Sequence, residues 1–192
     1  AAGDSVTVTS AGAINDSTTT DTTAEITAVT IDLNAVTGIG ATRSLDVTAE
    51  SITADTTNGN MDIDSMAMAA VTLASATTGT GSIQFDQTGG QALTVTLSTT
   101  ADGGIAITND GDLNGLTISA GGTGKNISLV TTGAGNITLD SVTAAGDLVT
   151  VTSAGAIDEA VTPDAGADIV AVTIDLNAVT GIGATQTLDV RG

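Results

Sequence analysis

The chain has 192 residues, 41% of them apolar, yet its one aromatic residue is Phe85 and it has no Trp, Tyr, His or Cys. Twenty-two acidic residues stand against three basic ones, Arg43, Lys125 and Arg191, for a net charge of −19. That balance repels nucleic acid and anionic lipid, the missing His and Cys exclude nucleophilic triads, and the apolar content excludes a disordered chain.

Residues 1–49 return as residues 144–192, ungapped and 143 positions later, with 35 of 49 positions identical. The run 28–42 (AVTIDLNAVTGIGAT) recurs letter for letter at 171–185. An ungapped return over that distance marks a tandem array, each unit stacking on copies of itself. We therefore read 1–192 as one continuous solenoid fragment. Residues 1–143 are one full long repeat, and 144–192 start the next copy, as in a window on a longer repetitive protein. Most of the 14 mismatches lie between Ser5 and Thr27, chiefly NDSTTTDTT (15–23) against DEAVTPDAG (158–166). A loop protruding from a coil varies in this way while stacked strands do not.

Inside the long repeat runs a shorter period. Apolar pairs with one residue between them begin at Met61, Ile83, Ile105, Ile127 and Val149, a step of 22 residues. A second column follows ten residues later: Val71-x-Leu73, Leu93-x-Val95, Leu116-x-Ile118 (slipped by one) and Ile137-x-Leu139. Alternation at period two predicts strands, and the Gly- and Thr-rich stretches between them predict turns. No segment keeps a helical period over ten residues. The fold class is all-β: a parallel β-helix, or β-solenoid, of about 22–24 residues per coil, with about six coils in the 143-residue unit. Like side chains then stack along the axis, which suits a narrow core of Ala, Val, Ile and Leu. Immunoglobulin-like sandwiches in tandem are the alternative, but aromatic anchors and Greek-key spacing are missing.

Two acidic turns offer hard oxygen donors. The first, 58–64 (NGNMDID), holds Asp62 and Asp64, and the 22-residue frame places Asp86 beside Asp64 in an outward column. The second, 109–115 (NDGDLNG), has donors at alternate positions, Asp110, Asp112 and Asn114, with glycine for the bend. These six residues are the candidate calcium ligands; the bidentate Glu of an EF-hand loop is absent, and plain solvated turn chemistry is the stronger reading of the two. No cofactor is required. Outward Thr-x-Thr pairs do not form an ice-matching face, because the column beside the first strand reads Asp62, Gln84, Ala106, Ser128, Thr150. Scattered cations, absent His and Tyr, and a repeated surface without a unique cleft speak against an enzyme.

The runs GGIAITNDGDLNGLTISAGG (103–122) and GNITLDSVTAAGDLVTVTSAGAI (135–157) resemble the repeats of filamentous haemagglutinin-like exoproteins. Those are large bacterial surface and secreted adhesins exported by two-partner secretion. The resemblance implies a right-handed β-helix shaft at the cell surface or outside the cell. The expected function is the structural shaft of a repetitive bacterial surface protein, an adhesin-type stalk. The alternative is a self-assembling subunit of a filament, sheath or surface layer. Expected partners are neighbouring repeats or identical subunits stacked end to end, and a host or neighbouring-cell surface. Nucleic acid and membrane insertion are not expected.

Overall fold

Every strand pairing runs parallel, and partners lie 18 to 27 residues apart in sequence, so the backbone winds back over itself once per coil. The computed structural model describes residues 3–17, 23–160 and 166–192. These residues form a parallel β-solenoid of about eight turns, without helices. Each coil crosses two ladders of rungs. Ladder one stacks Ser5–Ser10, Thr30–Ala35, Ser51–Thr56, Val71–Thr78, Leu93–Val95 with Ser98–Thr100, and Leu113–Ala120. It continues through the first half of Ile137–Ser153, then Ala156–Glu159 with the start of Ile169–Ala178, and ends on Gly181–Ile182 and Val190–Arg191. Ladder two stacks Ala13–Ile14 with Ile26–Thr27, Gly38–Ile39 with Leu45–Thr48, Met61–Ser65, Ile83–Gln87, Ile105–Asn109 and Ile127–Thr131. The second halves of Ile137–Ser153 and Ile169–Ala178 complete it.

The predicted first column is realised in ladder two, where Met61, Ile83, Ile105, Ile127 and Val149 pair in succession. All five are buried, and so is Phe85 between Ile63 and Ile107. From Val149 the step lengthens to 25 residues, to Ile174. One member of the second column differs. Leu93 pairs with Leu113, not Leu116, and Leu113 pairs with Ile137. The coil shortens to 20 residues there and then lengthens to 24, because corners absorb length changes while rungs hold their register. Gly115 consequently takes the inward place between Val95 and Leu139, and Ile118 Cδ1 fills the space a Cβ would need.

The copies do not superpose by a whole number of turns. At 22 residues per coil, 143 residues make six and a half. Ser5–Ser10 accordingly heads ladder one, whereas its copy, 148–153, lies in ladder two. The copies are thus related by a half-turn plus an axial rise of about 31 Å, taking about 4.8 Å per rung. Position-equivalent surfaces of successive copies face opposite ways.

Corners are built from two recurring devices. Glycines at 59, 81 and 103 stack one coil apart, and a Cβ on Gly81 or Gly103 would overlap the carbonyl oxygen of the glycine before it. Only a residue without a side chain lets adjacent corners close to strand spacing. Inside the corners run buried polar columns: Thr56, Thr78 and Thr100 in one, Ser65, Gln87, Asn109, Thr131 and Ser153 in the other. Several cap turn carbonyls. Thr78 Oγ1 donates to Gly59 O (3.0 Å), Thr131 Oγ1 to Gly135 O (2.7 Å), and Asn109 Nδ2 to Asp112 O (2.7 Å). Turn carbonyls that have left the ladder obtain partners in this way.

Candidate metal centre

Outward positions of ladder two carry the acidic column. Asp46, Asp64 and Asp86 are partners in successive rungs, and Asp62 lies two residues before Asp64 on the same outward side. Neighbouring rungs lie about 4.8 Å apart, so the fold forces these like charges together. One oxygen from each of Asp62, Asp64 and Asp86 falls within 4.8 Å of the others, and all three residues are half-buried. Burial first, then the charges of Asp64 and Asp86, raise the Asp62 carboxyl to about 6. Its Oδ1 is buried without a hydrogen-bond partner. Gln84 Nε2 donates to Asp86 Oδ2 at 2.9 Å, anchoring that carboxylate.

Oxygens around one calcium ion sit 2.3–2.6 Å from the metal, so two ligands across it are at most about 5 Å apart. The three carboxylates meet that spacing. With no cation, the same arrangement favours a proton on Asp62, which removes one of three repelling charges.

The other three candidates are not gathered into one loop. Asp110 accepts from Gly89 N (2.8 Å) and Gly90 N (2.5 Å) in the preceding coil. Asp112 Oδ1 accepts from Asn136 N (2.7 Å) in the following coil, and Asn114 Oδ1 accepts from Thr138 Oγ1 (3.1 Å) there. A D-x-D-x-N spacing suggests donors converging on a centre; here it straddles a corner, and the side chains reach up and down the axis. Among the described residues, the carboxylate group spaced for a metal is Asp62, Asp64 and Asp86.

Pinning of this kind recurs, and sequence reasoning missed it. Asn60 Oδ1, Ser82 Oγ and Asn126 Oδ1 accept from Ser82 N, Gly104 N and Leu148 N, each 22 residues on. The signal was present as Asn60, Ser82 and Asn126 just before three ladder-two rungs, with Gly104 and Leu148 at the same place before the others.

The mismatched segments carry pins at both ends. Asn15 Oδ1 accepts from Thr42 N at 3.3 Å, and its counterpart Asp158 accepts from Thr185 N at 3.0 Å and Thr185 Oγ1 at 2.6 Å. Glu25 accepts from Asp46 N at 2.9 Å, and its counterpart Asp168 accepts from Asp189 N at 2.7 Å. Asn exchanges with Asp, and Glu with Asp, yet each acceptor keeps its duty. The Thr185 hydroxyl chiefly, with backbone amides adding, lowers the Asp158 carboxyl below its ordinary value against the opposing effect of burial. Both ends of the mismatched segments thus keep an acceptor although its residue type changes; residues 18–22 and 161–165 of the predicted loops lie outside the described residues.

Charge elsewhere is dispersed. Lys125 Nζ lies 3.5 Å from Asp102 Oδ1 at the surface, a pair worth about 0–1 kcal/mol. A groove lined by Thr9, Ser10, Asn34, Asp55, Thr56 and Thr57, among others, offers hydroxyls, one amide and one carboxylate. Comparison with known proteins finds no matching family model, no matching curated sequence and no matching solved structure.

Proposed function

We propose that the chain is part of the structural shaft of a repetitive extracellular bacterial surface protein, an adhesin-type stalk of the filamentous haemagglutinin-like kind. The observation that carries this reading is continuity. The second copy enters the same core without a break, so each added repeat extends one rod by about 31 Å. A core of stacked aliphatic layers and polar corners gives length and stiffness, and the net charge of −19 keeps such rods apart in solution. No cofactor is needed for this role; calcium on Asp62, Asp64 and Asp86 would tie adjacent rungs together. Immunogold labelling of intact source cells with an antibody to this chain tests the reading. Label outside the cell envelope is expected, and label seen only after permeabilisation rejects it.

A self-assembling filament, sheath or surface-layer subunit is the second reading, since rungs that pair in parallel along one axis can stack between molecules as well as within one. Intact mass from the native source separates the two: near 18.4 kDa for a subunit, many times larger for a covalent array.

A further inference from the structure

A column of polar side chains runs along the inside of ladder two, one residue from each rung. Ser65, Gln87, Asn109 and Thr131 are partners in successive pairings, Ser153 follows in contact with Thr131, and none of the five is more than 3% exposed. The column has two parts with different chemistry. Toward the C-terminus it is saturated by the protein itself. Thr131 Oγ1 donates to Gly135 O at 2.7 Å and accepts from Ala154 N at 3.1 Å; Ser153 Oγ donates to Ala156 O at 2.9 Å and accepts from Gly155 N at 3.1 Å. Toward the N-terminus three oxygens in three consecutive rungs are buried without a protein partner: Ser65 Oγ, Gln87 Oε1 and Asn109 Oδ1.

The amide nitrogens explain why. Amides stacked one strand spacing apart can bond to each other, nitrogen to oxygen, along a ladder. Here both nitrogens are committed to the corner instead. Asn109 Nδ2 donates to Asp112 O at 2.7 Å and to Gln91 O at 3.0 Å, and Gln87 Nε2 donates to the same Gln91 O at 3.5 Å. Only three residues separate Asn109 from the next strand, against five after Gln87, and this short corner sets two turn carbonyls before one amide. With the nitrogens held there, both amide oxygens turn away from the Gln91 carbonyl. Flipping either amide would set oxygen against oxygen.

The missing donor must be small, neutral and able to serve two rungs. Neighbouring rungs lie about 4.8 Å apart. A water about 2.8 Å from each of two oxygens at that separation makes an angle of about 118° between them, close to the angle of its own O–H bonds. Ser65 is three heavy atoms shorter than Gln87, and Asn109 is one methylene shorter, so neither fills the depth that the Gln87 side chain reaches. We infer that two ordered waters lie along this column, one bridging Ser65 Oγ and Gln87 Oε1, the other bridging Gln87 Oε1 and Asn109 Oδ1. Gln87 Oε1 accepts from both through its two lone pairs, and Ser65 donates its own proton to the first water. The file ends at two members because Val47 follows on one side of Ser65 and the saturated Thr131 on the other side of Asn109.

A cation could take the same oxygens, but all three belong to neutral side chains. The two acids of that corner are engaged elsewhere: Asp110 accepts from Gly89 N and Gly90 N, and Asp112 from Asn136 N. A charge buried among neutral groups is far costlier than a water there. The inference concerns the folded core and stands or falls independently of the shaft reading, which the cell-surface labelling decides.

Oxygen-17 magnetic relaxation dispersion counts the waters that stay in a protein longer than it takes to tumble. Gln87→Met keeps the volume and removes the oxygen that both waters share. It is expected to hold two fewer long-lived waters than the parent. Ser65→Ala deletes only an unpartnered hydroxyl, so it keeps the fold whatever Gln87→Met does, and it is expected to hold one fewer. A crystal structure of the parent is expected to place both waters about 2.7–3.0 Å from the named oxygens. An unchanged count in Ser65→Ala overturns the first water, and an unchanged count in folded Gln87→Met overturns both. A parent melting midpoint that rises in sodium, potassium or calcium over choline at equal ionic strength, with no such rise in Gln87→Met, assigns the oxygens to a cation and overturns the inference.

Discussion

The repeated run 28–42 and 171–185 provides an internal control that few proteins offer: one local sequence in two tertiary environments. Leu33 is wholly buried and its copy Leu176 is only partly covered. Leu33→Ala removes three carbon atoms between fixed rungs, where corners and ladders on both sides prevent collapse. Such sites lose about 3–5 kcal/mol, the transfer of the deleted groups plus the cavity left behind. Leu176→Ala removes the same atoms from a layer already open on one side, so no closed cavity forms and the loss is about 1–2 kcal/mol. With neither Trp nor Tyr, the assay is urea unfolding followed by far-ultraviolet circular dichroism, at protein concentrations low enough to keep the chain monomeric. Solenoids can unfold from their ends, so hydrogen exchange resolved by rung accompanies the melt. Exchange of 173–178 is expected to run ahead of 30–35 in the parent chain. Equal losses for the two substitutions would show that coverage by the next rung is not what buries this segment, and the stacking argument would fall.

Further outcomes follow from the corners and the carboxylates. Gly81→Ala drives a Cβ into the Gly59 carbonyl and is expected to lower the melting midpoint strongly, whereas Gly12→Ala, whose nearest neighbour would be Ser10 Oγ at 3.8 Å, is close to neutral. Asp62 is raised from 3.8 to about 6 on folding, so the folded chain holds a proton that the unfolded chain lacks between those values. Its contribution is full below 3.8 and is lost as pH rises through about 6; discounted for partial solvent exposure, it is about 1 kcal/mol. Asp62→Asn therefore gains stability over the parent as pH rises from about 4 to about 7, measured as the difference between their urea midpoints. Calcium is expected to raise the melting midpoint of the parent more than that of Asp64→Asn; an equal response removes this cluster as the binding centre. Asp112→Ala leaves the Asn136 amide without its acceptor and is expected to cost about 1 kcal/mol more than Asp102→Ala, which loses only a surface ion pair.

The acidic residues show which parts of a site were legible in advance. Asp64 and Asp86 could be placed side by side because a 22-residue step, once recognised, gives the neighbour of every residue in the regular stretch. Asp110, Asp112 and Asn114 were judged by local spacing, which assumes that donors close in sequence point to one centre. In a coil the partners of a corner residue lie 20 to 24 residues away, in the rungs before and after it. The exchanges Asn15/Asp158 and Glu25/Asp168 looked like loop drift for the same reason: their partners, Thr42, Thr185, Asp46 and Asp189, are a full coil distant.

The sequence by itself determined the winding into coils of about 22 residues and the strands and inward sides of the regular stretch from Met61 to Val149, Leu116 apart, because alternation and period are local properties written along the chain. Only the tertiary structure decided that the long repeat closes on a half-turn, that Leu113 stands where Leu116 was expected, and that one copy of a fifteen-residue run is buried while the other stands partly open. Those outcomes depend on what lies one rung above and below. Burial, pairing and repulsion in a solenoid are set between coils, across a gap of one strand spacing, and corner lengths decide which residues meet there.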